Sequence, residues 1–199
     1  MESRVKLAGH PLHTMLIAFP LGLLATAVVF DVIFLVTNNS IWTQAAFFMI
    51  GAGVITGLAA AVPGTIDWLA IPRGTRAKRI GLIHGVGNVI VVALFALSWY
   101  MRRNNPAAPP TEAVVAGLLG AGLVVVTGWL GGELVDRLGV GVDDGAHLDA
   151  PSSLTGMPAA AAAGSEFRAG MSHGWAGRER RHFPQPAYAG VDRRQRSPA

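Results

Sequence analysis

The sequence has no cysteine and very little charge. Without a thiol there is no disulfide framework, no thiolate nucleophile, no iron–sulfur cluster and no cysteine-type zinc site. Any metal must be held by His, Asp, Glu, Met or backbone oxygen. Only 14% of the 199 residues are charged and 51% are hydrophobic, against roughly 25% charged in soluble domains. That deficit points to a membrane. The motifs of soluble enzymes are missing as well: there is no GxxxxGK[ST], no GxSxG and no HExxH, and "GVGNVI" lacks the last glycine of a dinucleotide fingerprint. The net charge of +4 belongs to loops and tail, so a nucleic-acid-binding face is not expected.

What is present is four long apolar runs. They cover about residues 11–36, 41–66, 80–101 and 113–135, and roughly 20 apolar residues in helix suffice to cross a bilayer. None alternates with period two as a barrel strand would, and a backbone in hydrocarbon must satisfy its own hydrogen bonds, so helices are expected. The first run continues past "ATA" at Ala25 to Ala27 as far as Val36, too far for the 7 to 15 apolar residues of a cleaved signal. Pro20 should free the Leu16 carbonyl and kink this helix.

The expected fold is all-α, an integral membrane antiparallel four-helix bundle over residues 1–142. A disordered Ala/Gly/Pro/Arg-rich tail follows over 143–199, with a weak helix at most over Gly156 to Ala169. In the second run Gly53, Gly57, Ala60 and Gly64 form a stripe that lets another backbone approach closely. Arg4 and Lys6 before the first run, and Arg73, Arg76, Lys78 and Arg79 between the second and third, outweigh Arg102 and Arg103 on the other side. By the positive-inside rule both termini face the cytoplasm, in a bacterial inner membrane. The basic tail, if it touches anything, would touch anionic lipid. Its histidines His147, His173 and His182 sit at irregular spacing and are assigned no site.

Ionisable residues in membrane spans are expensive, and therefore informative. Antiparallel threading brings His10 and His13 (start of the first span), Asp67 (end of the second), His84 (early in the third) and Glu133 (end of the fourth) to one depth. With Pro11 at the first helical position, His10 would be a cap and His13 would lie inside the first turn. Gly81, His84, Gly85 and Asn88 form one face of the third span, with room for something bulkier than a side chain. Asp31 shares the His13 face 18 residues on, near the opposite leaflet, where it is expected to make a polar contact at the interface.

Three readings of the cluster stay open. His84 with His10 or His13 could ligate a b-type haem between helices. The three histidines with Asp67 or Glu133 could hold zinc or iron. Or they cap helices and fix the packing, with no cofactor bound. Nothing assigns catalysis, and a role as electron-transfer component or as a non-catalytic membrane assembly or regulatory subunit fits better than an enzyme. Expected partners are the lipid bilayer, a redox or membrane-complex protein and a second copy of the chain. A transporter ranks behind these, since repeat halves are not evident.

"GHPLHTMLIAFPLGLLATAVVFD", "PGTIDWL", "RIGLIHGVGNVIVVALF" and "GWLGGELVDRLGVGV" together resemble the bacterial four-helix membrane domain catalogued as DUF2231, over about residues 7–150. The resemblance implies the fold and the membrane placement and places His10, His13, Asp31, Asp67, His84 and Glu133 inside family-like motifs. Some proteins with such a domain also carry a Rieske-type ferredoxin domain, which implies redox surroundings. This chain, lacking cysteine, has no Rieske centre of its own.

Overall fold

The computed structural model describes residues 1–161. Four helical spans, Leu12–Thr37, Ser40–Ala70, Arg76–Arg102 and Thr111–Arg137, are each long and apolar enough to cross a membrane. They thread up and down as a bundle. The first span is two helices, α1 (Leu12–Leu16) and α2 (Ala18–Thr37), joined at Ile17. The break has a plain cause: Pro20 has no N–H for the Leu16 carbonyl, while Leu21 still donates to Ile17. The others are α3 (Ser40–Ala70), α4 (Arg76–Arg102) and α5 (Thr111–Gly132), the last running into a π-helical turn at Glu133–Arg137.

Helix ends are set by local chemistry. Asn38 closes α2 in the left-handed conformation (φ 53°), and the Asn39 side chain accepts from Ile41 N at 3.1 Å to start α3. Thr75 caps α4 by accepting from Lys78 N at 3.1 Å. The turn before α4 is braced twice: Trp68 Nε1 donates to the Lys78 carbonyl at 3.1 Å, and Lys78 Nζ donates to the Trp68 carbonyl at 2.6 Å.

Along the bundle α2 packs on α3, α3 on α4 and α4 on α5, and α5 returns to α2. The centre holds Leu24, Ala27, Ala46, Ile50, Val91 and Phe95. Phe48, Ile55, Val89 and Val125 point outward and stay exposed, the apolar belt that a lipid solvent covers. Aromatic side chains sit near the span ends, where Phe47 stacks on Trp99 at 5.4 Å and the Arg103 guanidinium lies 3.6 Å from the Tyr100 ring centre.

Two expectations need correction. His10 does not cap the first helix. Lys6–Leu7 (β1) and His10–Pro11 (β2) form a small antiparallel hairpin whose turn, Ala8 and Gly9, has positive φ at both positions (50° and 80°). The helix therefore starts at Leu12. The described fold also continues beyond residue 142 and closes onto the N-terminus. Gly141 N donates to the Met1 carbonyl at 2.8 Å, Lys6 Nζ pairs with Asp143 at 2.6 Å, and Ser153 Oγ donates to the Ala8 carbonyl at 3.1 Å. A short 3-10 turn, Ser153–Thr155, ends at Gly156 (φ 71°). The rest of the expected tail, with most of the weak helix over 156–169, His173, His182 and the terminal arginines, lies outside the described residues.

Candidate functional site

His13 stands in the first turn after the hairpin. Its Nδ1 lies 2.8 Å from the Ala60 carbonyl of α3, and a carbonyl can only accept, so Nδ1 carries the proton. Pro63 lies one turn on and has no N–H for the adjacent Ala59 carbonyl. The ring fits there because position 64 is glycine: a Cβ on Gly64 would stand 2.7 Å from His13 Nδ1. Nε2 has no hydrogen-bond partner among the described residues.

His84 repeats the arrangement on the other side of the bundle. Its Nδ1 donates to the Thr127 carbonyl of α5 at 2.8 Å, and a Cβ on Gly131 would come within 3.1 Å of its Cε1. Asn88 Nδ2 directs one hydrogen to His84 Nε2 at 3.1 Å and the other to the His84 carbonyl at 3.0 Å. The first and third spans approach one another about two turns further on, where a Cβ on Gly57 would stand 3.4 Å from Val92 Cγ2 and 3.7 Å from Pro20 Cβ. Of the two glycines expected to give room on this face, Gly85 is exposed with nothing within 4 Å of where a Cβ would be, whereas the place beside Gly81 is filled by Trp68, whose Cδ1 would stand 2.7 Å from a Cβ there.

The remaining predicted residues are engaged elsewhere. His10 is exposed, its Nδ1 3.2 Å from the Ala8 carbonyl of its own hairpin. Asp67 accepts from Ser3 Oγ at 2.7 Å and from Arg4 N at 2.6 Å, so it tethers the N-terminal segment. Glu133 pairs with Arg76 at 2.6 Å. Among the described residues no three His, Asp or Glu side chains stand together as a metal set. The structure thus holds His13 and His84 in matching contacts, each against a carbonyl of a neighbouring helix, and leaves His10, Asp67 and Glu133 in separate ones.

At the opposite end of the bundle lies a feature that sequence reasoning missed. Asp31 accepts from Arg102 through both oxygens, at 2.7 and 2.8 Å, and the two residues are 1% and 0% exposed. Arg102 Nη2 also donates to Ser98 Oγ at 3.1 Å, and Ser98 Oγ donates to the Ala113 carbonyl at 2.6 Å. Asp31 therefore makes its polar contact as a bidentate pair packed inside the end of the bundle, and Arg102 is not a loop charge. The available signal was spacing: Arg102 follows His84 by 18 residues, as Asp31 follows His13.

A family model described as a predicted membrane protein, DUF2231, matches residues 9–144. The chain belongs to the DUF2231 family. The match takes in both histidines, both of their carbonyl partners and the buried ion pair, so the membrane bundle and its polar contacts lie within the DUF2231 domain. Neither the curated proteins nor the solved structures yield a match to this chain.

Proposed function

We propose that this DUF2231 protein is an electron-transfer component of the bacterial inner membrane that holds b-type haem between His13 and His84. The observation that carries the reading is the state of the two rings. Each donates Nδ1–H to a backbone carbonyl of a neighbouring helix, which fixes the tautomer whose Nε2 lone pair is the ligating one. Gly85 leaves the bundle surface next to His84 uncovered, and a bundle of four helices is a common haem host. The Asn88 amide must swing off His84 Nε2 for the ring to ligate. Bound haem would supply one-electron chemistry; the chain would supply two imidazoles whose Nδ1–H groups are already committed to carbonyls. Zinc or iron on the same pair, with Asp67, Glu133 or His10 recruited, is the variant of the reading that a mass-spectrometric metal analysis addresses.

The second reading is a non-catalytic assembly or regulatory subunit. It is favoured by the same hydrogen bonds seen as cross-braces, each tying one helix to the next, and by Asn88 occupying Nε2. Protein purified in detergent from haem-replete cells separates the two. A Soret band that disappears in His84→Ala supports haem. A colourless, metal-free protein that only loses stability in His84→Ala supports the brace.

The orientation with both termini in the cytoplasm belongs to the same proposal. The N-terminus and the turn carrying Arg73, Arg76, Lys78 and Arg79 share one end of the bundle. With Arg102 neutralised by Asp31, Arg103 is left as the basic residue of the opposite loop.

A further inference from the structure

The two halves of the bundle make the same contacts at several levels. His13 reaches a carbonyl at position 60 and a glycine at 64; His84 reaches a carbonyl at 127 and a glycine at 131. Toward the middle, a Cβ on Gly53 would stand 2.5 Å from Leu24 Cδ2, and one on Gly120 would stand 2.8 Å from Phe95 Cε2. Further on, Ala27 and Ala46 are fully buried in one half, as Ser98 and Ala113 are in the other. At the far end stand Asp31 and Arg102. Every residue of the third span in this series follows its counterpart in the first by 71 positions, and every residue of the fourth follows its counterpart in the second by 67. Chance does not hold one register through five turns of helix and pair it with a second constant register in the neighbouring helix.

We infer that the bundle is two copies of one helical hairpin about a pseudo-two-fold axis running along it, and that the axis passes between His13 and His84. On the haem reading above, His13 and His84 would hold the one group from equivalent positions. Asp31 and Arg102 mark the axis at the other end, because equivalent residues touch each other only where a two-fold axis passes between them. Identical residues there would oppose like charges. Split into Asp and Arg, the position attracts, so the first hairpin prefers the second over a copy of itself. The spacing of 18 residues, five full turns, carries the same face from Arg102 back to His84 on the unbroken helix α4. The ligand part of this inference rests on the haem reading above; the axis does not.

The two parts are tested separately on the full chain. An exchange that transplants each charge into the other half's surroundings, Asp31→Arg and Arg102→Asp with Ala27→Ser and Ser98→Ala, is compared with Asp31→Arg alone by thermal unfolding in detergent. The axis predicts that the exchange recovers at least half of the Tm lost in the single variant, because Arg at 31 then has a serine four residues back and the Ala46 carbonyl in place of Ala113. An exchange no more stable than the single variant overturns it. In the second experiment wild-type protein, His13→Ala and His84→Ala are titrated with hemin. Equal grip predicts a six-coordinate low-spin spectrum at one hemin per chain, with affinity falling at least tenfold in each variant and to within about threefold of the same value. Loss confined to one histidine overturns the equivalence of the two positions. If hemin does not bind at all while the exchange is stable, the haem reading fails and the axis stands.

Discussion

Replacing Asp31 by Asn removes one charge and almost no volume. In the native bundle the Asp31 carboxylate meets the Arg102 guanidinium through two bonds, and neither residue reaches solvent. The amide keeps one acceptor but turns an NH2 toward a guanidinium nitrogen, leaving a buried cation uncompensated. Breaking a buried pair from one side costs about 3–5 kcal/mol. For a chain of this size that corresponds to a Tm loss of roughly 6–20 °C. Removing both partners is different. In Asp31→Leu with Arg102→Met the charge is gone, and Ser98 Oγ keeps its own bond to the Ala113 carbonyl, so no polar group is orphaned. Such apolar replacements are often neutral or stabilising, and the double variant should regain most of the loss. Circular dichroism melts in detergent measure both. An Asp31→Asn protein that melts within about 1 °C of wild type, or a double variant no better than the single, refutes the reasoning.

Four further outcomes are expected. Gly64→Val should lower stability by about 1–3 kcal/mol, because its side chain enters the space of the His13 ring, whereas Gly85→Val, in open space, should leave the melting temperature within about 2 °C and abolish hemin binding. Asn88→Ala removes the donor that occupies His84 Nε2, and hemin affinity measured by absorbance titration should rise roughly 2- to 10-fold. Near the N-terminus the hydrogen bond that Lys6 donates, followed by the Asp144 backbone N–H, lowers the Glu2 pKa from its ordinary value, and the hydrogen bonds that Lys6 donates to Asp143 and then to Glu2 raise its own. A lowered acid stabilises above its unfolded pKa and loses that contribution as pH falls through the folded one; a raised base stabilises below its unfolded pKa and loses it as pH rises through the folded one. Amide protection factors in residues 1–11, taken against the intrinsic exchange rate at each pH, should thus hold across neutral pH and fall as Glu2 is protonated in acid and as Lys6 is deprotonated in base. Because the chain has no cysteine, Arg73→Cys and Pro106→Cys are clean labelling sites, and a membrane-impermeant maleimide added to intact spheroplasts should modify the second and spare the first.

The four spans were legible because their apolar runs are long, and the helix break was legible because Pro20 removes one specific donor. The glycine stripe of the second span also read true: Gly53 seats Leu24 and Gly64 seats His13. His13 and His84 stood out as imidazoles in hydrocarbon. Other contacts were hidden by local resemblance. "GHP" reads as a helix cap, yet Ala8 and Gly9 take positive φ and turn the chain into a hairpin first. Arg102 is followed by Arg103, so it reads as loop charge, and only tertiary packing shows that α4 carries it inside to Asp31. The repeat escaped for two reasons. Equivalent positions differ in chemistry, Leu24 against Phe95 and Asp31 against Arg102, and the register shifts from 71 to 67 between the helices of a hairpin. Geometry preserved what residue identity had lost.

Hemin titration of the detergent-purified chain, followed through the Soret band, tests the central claim most directly. The account predicts saturation at one hemin per chain with a low-spin spectrum, and no saturable binding in the His13→Ala, His84→Ala double variant. A wild-type titration without a break point, or a double variant that binds as the wild type does, would contradict it.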